Sequence, residues 1–167
     1  GISHLTSKMM MKGTKKLDRT KILWDLETIG AELHPAAEPD LLRFNLSVSN
    51  RHVRSALELF SEIIREPVFP EDAFVMEKET VLMHLKGVGD DMFDNTWRMF
   101  NAALFPGHPY GVFSIGIAEQ VEKLTIEEIK AFHRDWFTPE TMVMAVVGDI
   151  AEEDLVALAG KFFGSLP

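Results

Sequence analysis

Between Leu42 and Ile64 the spacing of apolar residues changes from two to about 3.6. Leu42, Phe44, Leu46 and Val48 alternate with Arg43, Asn45 and Ser47, the pattern of a strand with one buried face. Directly after it, Val53, Ala56, Leu57, Phe60, Ile63 and Ile64 fall on one side of a helix that Asn50 can cap and that runs to about Glu66. A chain that buries a strand face and a helix face side by side needs both kinds of element around one core. The expected class is therefore α+β, with a mixed, partly antiparallel sheet covered by helices. Glu38-Pro39-Asp40 is a turn signal before the strand. It implies a hairpin whose other arm, about 31–37, is weakened by Pro35.

The remaining elements follow from periodicity and punctuation. Ile2, Leu5, Met9 and Met10 predict a buried helix over 2–12, ended by Gly13. A second helix is expected over 17–29, with Ile22, Leu23, Leu26 and Ile29 on one face and Gly30 as its stop. Pro70-Glu71-Asp72 opens a helix with acidic residues at its positive end, running past Glu77 and His84 to Gly87 or Gly89. A further helix over 92–104 carries Phe93, Trp97, Phe100 and Leu104, and a Pro/Gly loop follows over 105–111. Thr125 and Glu128 form a capping box for a helix with Ile126, Ile129, Phe132 and Trp136. Residues 141–147 are expected to be a buried strand, with Asp149 and Glu152 capping a last helix that ends near Phe163.

Composition narrows the function classes. With 167 residues, 46% hydrophobic and 26% charged, the chain can bury one real core over 1–167. Its 17 Lys and Arg against 26 Asp and Glu, a net charge of −9, argue against a nucleic-acid footprint. The absence of cysteine excludes disulfides, thiolate metal sites and a Cys nucleophile. No apolar run approaches the roughly 20 residues of a membrane-spanning helix.

One stretch carries chemistry. Gly1-Ile2-Ser3-His4-Leu5-Thr6-Ser7-Lys8 continues through Met9-Met10-Met11-Lys12 to Gly13-Thr14. It resembles the active-site helix of the pitrilysin/insulinase family of zinc peptidases, whose catalytic members read G-x-x-H-x-x-E-H-x-x-x-x-G-T. The resemblance continues in order. Glu77-Lys78-Glu79-Thr80-Val81-Leu82-Met83-His84 looks like the family's downstream helix, which ends in the third zinc ligand. Leu104-Phe105-Pro106-Gly107-His108-Pro109-Tyr110-Gly111, Phe137-Thr138-Pro139, Val146-Val147-Gly148-Asp149 and Phe163-Gly164-Ser165-Leu166-Pro167 follow as the family would have them.

In the family, two histidines at i and i+4 ligate zinc, the Glu beside the second activates the metal-bound water, and a distal Glu completes the site. On that alignment this chain keeps only the first ligand, His4. Ser7 occupies the general-base position, and a hydroxyl cannot take the water's proton near neutral pH. Lys8 replaces the second His and brings an ammonium, without a lone pair, to where a dication would sit. His84 replaces the distal Glu. The resemblance thus implies no catalytic residue and no metal in this chain, with His4, Lys8 and His84 as degenerate ligand positions. His4 and His84 read as ordinary packed or hydrogen-bonded histidines, and Lys8 and Glu77 as ion-paired or solvated. The Met9–Met11 run reads as core filling.

The losses resemble those of the inert domain or subunit of the family. What this implies is a non-catalytic domain that pairs with a homologous catalytic half. Zinc is expected in that partner half, and the two halves form a chamber for a peptide substrate. The rivals are an active zinc metalloendopeptidase with altered ligands and a purely structural subunit like the core proteins of a respiratory complex. No nucleic acid and no membrane span are expected. The bacterial periplasm or cytoplasm is the expected setting. Family domains have strands before the Gly1 position and a related second half further on, so the chain is expected to be a fragment. Its uncovered surfaces are expected to make it a homo-oligomer when alone.

Overall fold

A computed structural model describes residues 1–166; Pro167, which closes the Phe-Gly-Ser-Leu-Pro block, lies outside the described residues. Helix α1 (Ile2–Met10) forms the middle of the core, with Leu5, Met9 and Met10 fully buried. Its Met run is core filling, as its periodicity predicts, with Met11 packed partly against the same cluster. Beyond α1 the chain turns at Gly13, whose φ of +154° accompanies a bridge to Asp18. Thr14 anchors this turn. Its hydroxyl donates to Glu62 at 2.6 Å and accepts from the Leu17 backbone N–H at 3.0 Å.

Helix α2 (Arg19–Thr28) begins two residues later than its apolar pattern suggests, because the Asp18 carboxylate accepts from the Lys21 N–H at 2.7 Å. Only Ile22 and Leu26 of its predicted face are buried, and Leu23 is exposed. Gly30, at φ +60°, ends it.

Strands β1 (Glu32–Ala37) and β2 (Leu42–Ser47) form the expected hairpin, a small antiparallel sheet wrapped by helices. The register pairs Glu32 with Ser47, Pro35 with Phe44 and Ala37 with Leu42. The Glu38 N–H donates to the Leu41 carbonyl at 2.9 Å. Alternation along an antiparallel ladder then assigns the inward backbone groups to Glu32, His34 and Ala36. Leu33, Pro35 and Ala37 therefore turn their backbone groups to the outer edge. Pro35 is tolerated because the N–H it lacks would have pointed away from β2.

Helix α3 (Val53–Arg65) buries Ala56, Leu57, Ile63 and Ile64 as its period predicts. Asn50 does not cap it. Asn50 lies in a short 3₁₀ turn, and its side-chain amide donates to Asp149 at 3.3 Å. Asp149 is thereby engaged, and the last helix starts from Ala151 without a side-chain cap.

Helix α4 (Glu71–Gly87) follows Pro70, and α5 (Met92–Leu104) is capped by Asp91, which accepts from the Phe93 and Asp94 N–H groups at 2.9 and 2.8 Å. No residue of α5 is buried, and Phe93 is 83% exposed. A short helix that periodicity misses, α6 (Ala118–Lys123), precedes α7 (Ile126–Trp136), where the predicted Thr125–Glu128 capping box is present in full. Helix α8 (Glu152–Phe163) ends at Gly164.

The buried strand expected over 141–147 does not form. The segment is extended at Met142, but no strand among the described residues pairs with it, and Val143 and Val147 are 97% and 102% exposed. Its β-branched composition suits a strand; a strand exists only when a neighbour completes its hydrogen bonds.

Candidate functional site

The residues singled out by the sequence lie on α1 and α4, which pack against each other, while α1 also packs on α7 and β1. His4 and Lys8, four residues apart, share one face of α1, and both are half-buried. Lys12, a further four residues on, continues that face just beyond the helix end. It forms an ion pair with Glu77 of α4, with the two side chains 17% and 15% exposed. Glu77 is thus ion-paired, one of the two roles expected for it.

Ser7 lies off this face and has no exposed surface. Its hydroxyl donates to the His4 carbonyl at 2.7 Å, and the neighbouring Thr6 hydroxyl donates to Ile2 at 2.9 Å. Both hydroxyls donate to carbonyls of their own helix, so neither has a proton left to donate to a ligand. His84 is exposed on α4. Lys8 takes part in no ion pair among the described residues, in contrast to the paired lysines 12, 15, 16, 21 and 130.

Burial holds the His4 imidazole below the ordinary histidine range, helped by the Lys8 ammonium and opposed by Glu77; His84 adds a smaller effect of the same sign as Lys8. Lys8 lies one turn from His4 on α1, and Glu77 and His84 lie on α4, the helix packed against it. His133 on α7 is also held low by burial, although its Nε2–H donates to the Ile64 carbonyl at 2.7 Å. It stacks on Phe137 and meets Phe69 edge-on, which makes it a structural link between α7 and α3.

This donor set does not fit zinc. A zinc site needs three deprotonated side-chain ligands converging on one point. Here two imidazoles flank an ammonium, and the one nearby carboxylate is tied to Lys12. Among the described residues no group of three or more His, Cys, Asp or Glu side chains is placed to hold a metal ion. The face that does form runs His4, Lys8, Lys12. Its last member could have been read from the same i, i+4 spacing, whereas its pairing with Glu77 crosses the fold and had no local signal.

The helix carrying these residues, the hairpin beside it and the α4 partner define a known architecture. The family model described as insulinase, peptidase family M16, matches residues 1–112, and that described as the peptidase M16 inactive domain matches residues 123–167. The chain belongs to the M16 (pitrilysin/insulinase) peptidase family. It is 29% identical over 165 residues to an uncharacterized zinc protease of Mycobacterium leprae, covering 99% of this chain and 37% of that protein. A crystal structure of a protease from Helicobacter pylori superposes with a TM-score of 0.92 at 25% identity, over 99% of this chain and 40% of that one. A peptidase M16 inactive domain from Pseudomonas fluorescens superposes with a TM-score of 0.88 at 28% identity, over 98% of this chain and 40% of that one. The chain therefore spans well under half the length of the relatives it matches.

Proposed function

We propose that this chain is a non-catalytic M16 domain that pairs with a homologous, zinc-bearing half to enclose a peptide. The observation that carries the reading is the state of α1. One side of the helix is packed into the core, yet its ligand positions hold His4 and Lys8, its base position is the buried Ser7, and Glu77 is committed to Lys12. The scaffold is kept and the metal chemistry is not. In this reading His4, Lys8 and His84 are degenerate ligand positions, and zinc sits in the partner. The chain forms one M16 domain of a longer or two-part assembly in a bacterial setting. An active enzyme with altered ligands is disfavoured because no carboxylate near His4 is free to ligate or to act as base.

The exposed apolar residues of α5 and of 143–147 suit a chain that works in company, and self-association of the isolated protein is expected from them. The test is co-expression with a homologue that carries an intact H-x-x-E-H motif. Size-exclusion chromatography should give a complex of the two, and peptide turnover should exceed that of the homologue alone. If the motif-bearing half is fully active alone, and this chain alters neither its affinity nor its rate, the chamber role is wrong.

A further inference from the structure

The unpaired Lys8 is the feature that the loss of metal leaves unexplained. A half-buried lysine packs its aliphatic stem against the protein and keeps its ammonium where an anion arriving from solvent can reach it. Lys8 is half-buried and has no acidic partner among the described residues. Glu77, the acid within electrostatic reach of this face, is already held by Lys12. His4 lies one turn from Lys8 on the same helical face, and His84 lies two turns from Glu77 on the side of α4 that Glu77 turns toward Lys12 and α1.

This is a local concentration of nitrogen donors on a chain whose net charge is −9. Three donors of this kind can serve one oxyanion: the ammonium supplies charge, and each imidazole can donate through a ring N–H even when neutral. The helix that carries His4 and Lys8 is anchored by Leu5, Thr6 and Ser7 between them and by Met9 beyond, none of which has exposed surface. The donors are therefore presented on a fixed surface.

We propose that the His4–Lys8–His84 face binds a carboxylate, supplied by the C-terminus or by an acidic side chain of a peptide. The inference rests on the reading of the chain as a peptide-holding domain and gives that domain a preference for one chemical group. Where a catalytic relative would present a cation to a peptide carbonyl, this chain presents an ammonium to a full negative charge.

The test needs no partner half, so its failure is separate from failure of the chamber. Three unstructured peptides of one apolar sequence are titrated into the protein by calorimetry. One has a free C-terminal carboxylate, one is amidated, and one is amidated with an internal Glu. Chemical shifts of the His4 and His84 rings are followed in parallel. A carboxylate-bearing peptide should bind at least tenfold more tightly than the amidated one and should move both ring signals. Preference for the free C-terminus or for the Glu peptide identifies the source of the carboxylate. Lys8→Met should abolish the preference, Lys8→Arg should keep much of it, and Lys130→Met, at an exposed paired lysine on α7, should leave it unchanged. Equal affinity for all three peptides, an undiminished preference in Lys8→Met, or an equal loss in Lys130→Met would overturn the proposal. A folded Lys8→Met protein, checked by circular dichroism, keeps the comparison meaningful.

Discussion

Lys12, just past the end of α1, is ion-paired with Glu77 of α4, and both side chains are more than four-fifths covered. Removing one partner leaves a largely desolvated charge, which costs more than the pair itself contributes. Glu77→Gln is expected to lower stability by about 2 kcal/mol in denaturant unfolding. Lys12→Met combined with Glu77→Leu should recover most of that loss. If Glu77→Gln is neutral, the pair does not fix α1 against α4.

Zinc titration should find no stoichiometric site in the protein. Converting Lys8→His and His84→Glu while keeping His4 supplies three ligands of the right kind, and this variant should take up zinc. It should still lack peptidase activity, because Ser7 remains in place of a base. Adding Ser7→Glu forces a carboxylate into a position without exposed surface and should cost about 3 kcal/mol or more. Tight zinc binding by the unmodified protein, lost in His4→Ala, would contradict the reading of this site.

The pH dependence of stability follows from His133. Its folded pKa lies below the unfolded value because burial disfavours the charged ring. The folded state then binds the proton less well than the unfolded state. The stability held by neutral His133 is complete above about pH 6.5 and is lost as pH falls below that toward the lower folded pKa. His133→Gln should flatten the acid-side decline in melting temperature between roughly pH 7 and 5. Some slope should persist, since His4 is shifted in the same direction. An unchanged profile would mean that His133 is as well solvated in the folded chain as in the unfolded one.

Gly116 combines a φ of +108° with a close approach to the start of α1. A Cβ there would lie 2.7 Å from the Gly1 Cα and 2.9 Å from Val121 Cγ2. Gly116→Ala is expected to cost about 3 kcal/mol, from backbone strain and displacement of the helix start. Thermal unfolding measures it, and Gly148→Ala, where an added Cβ meets nothing within 4 Å, is the control.

The parts of the fold that were legible in the sequence are those whose interactions are local. The Thr125–Glu128 box closes within a single turn, and the Leu42–Val48 alternation records one face that is half-buried against the core while the other is exposed. Asn50 and Asp149 were misread because each looks like a helix cap by type, yet they are used on each other across 99 residues. Residues 141–147 have the composition of a strand, but their neighbour cannot be read from their own sequence. Within the site, i, i+4 spacing placed His4 and Lys8 on one face. The burial of Ser7 and the capture of Glu77 by Lys12 depend on tertiary packing and were not legible.

The hairpin has a polarity of its own. Its outer margin offers a visiting strand the backbone of Leu33 and Ala37, but between them Pro35 can accept and cannot donate. Any extended peptide laid along that margin leaves one of its own carbonyls facing a ring instead of an amide. Such a margin guards against runaway sheet growth between copies of the chain. It also means that an extended segment gains little from main-chain pairing along this edge of β1.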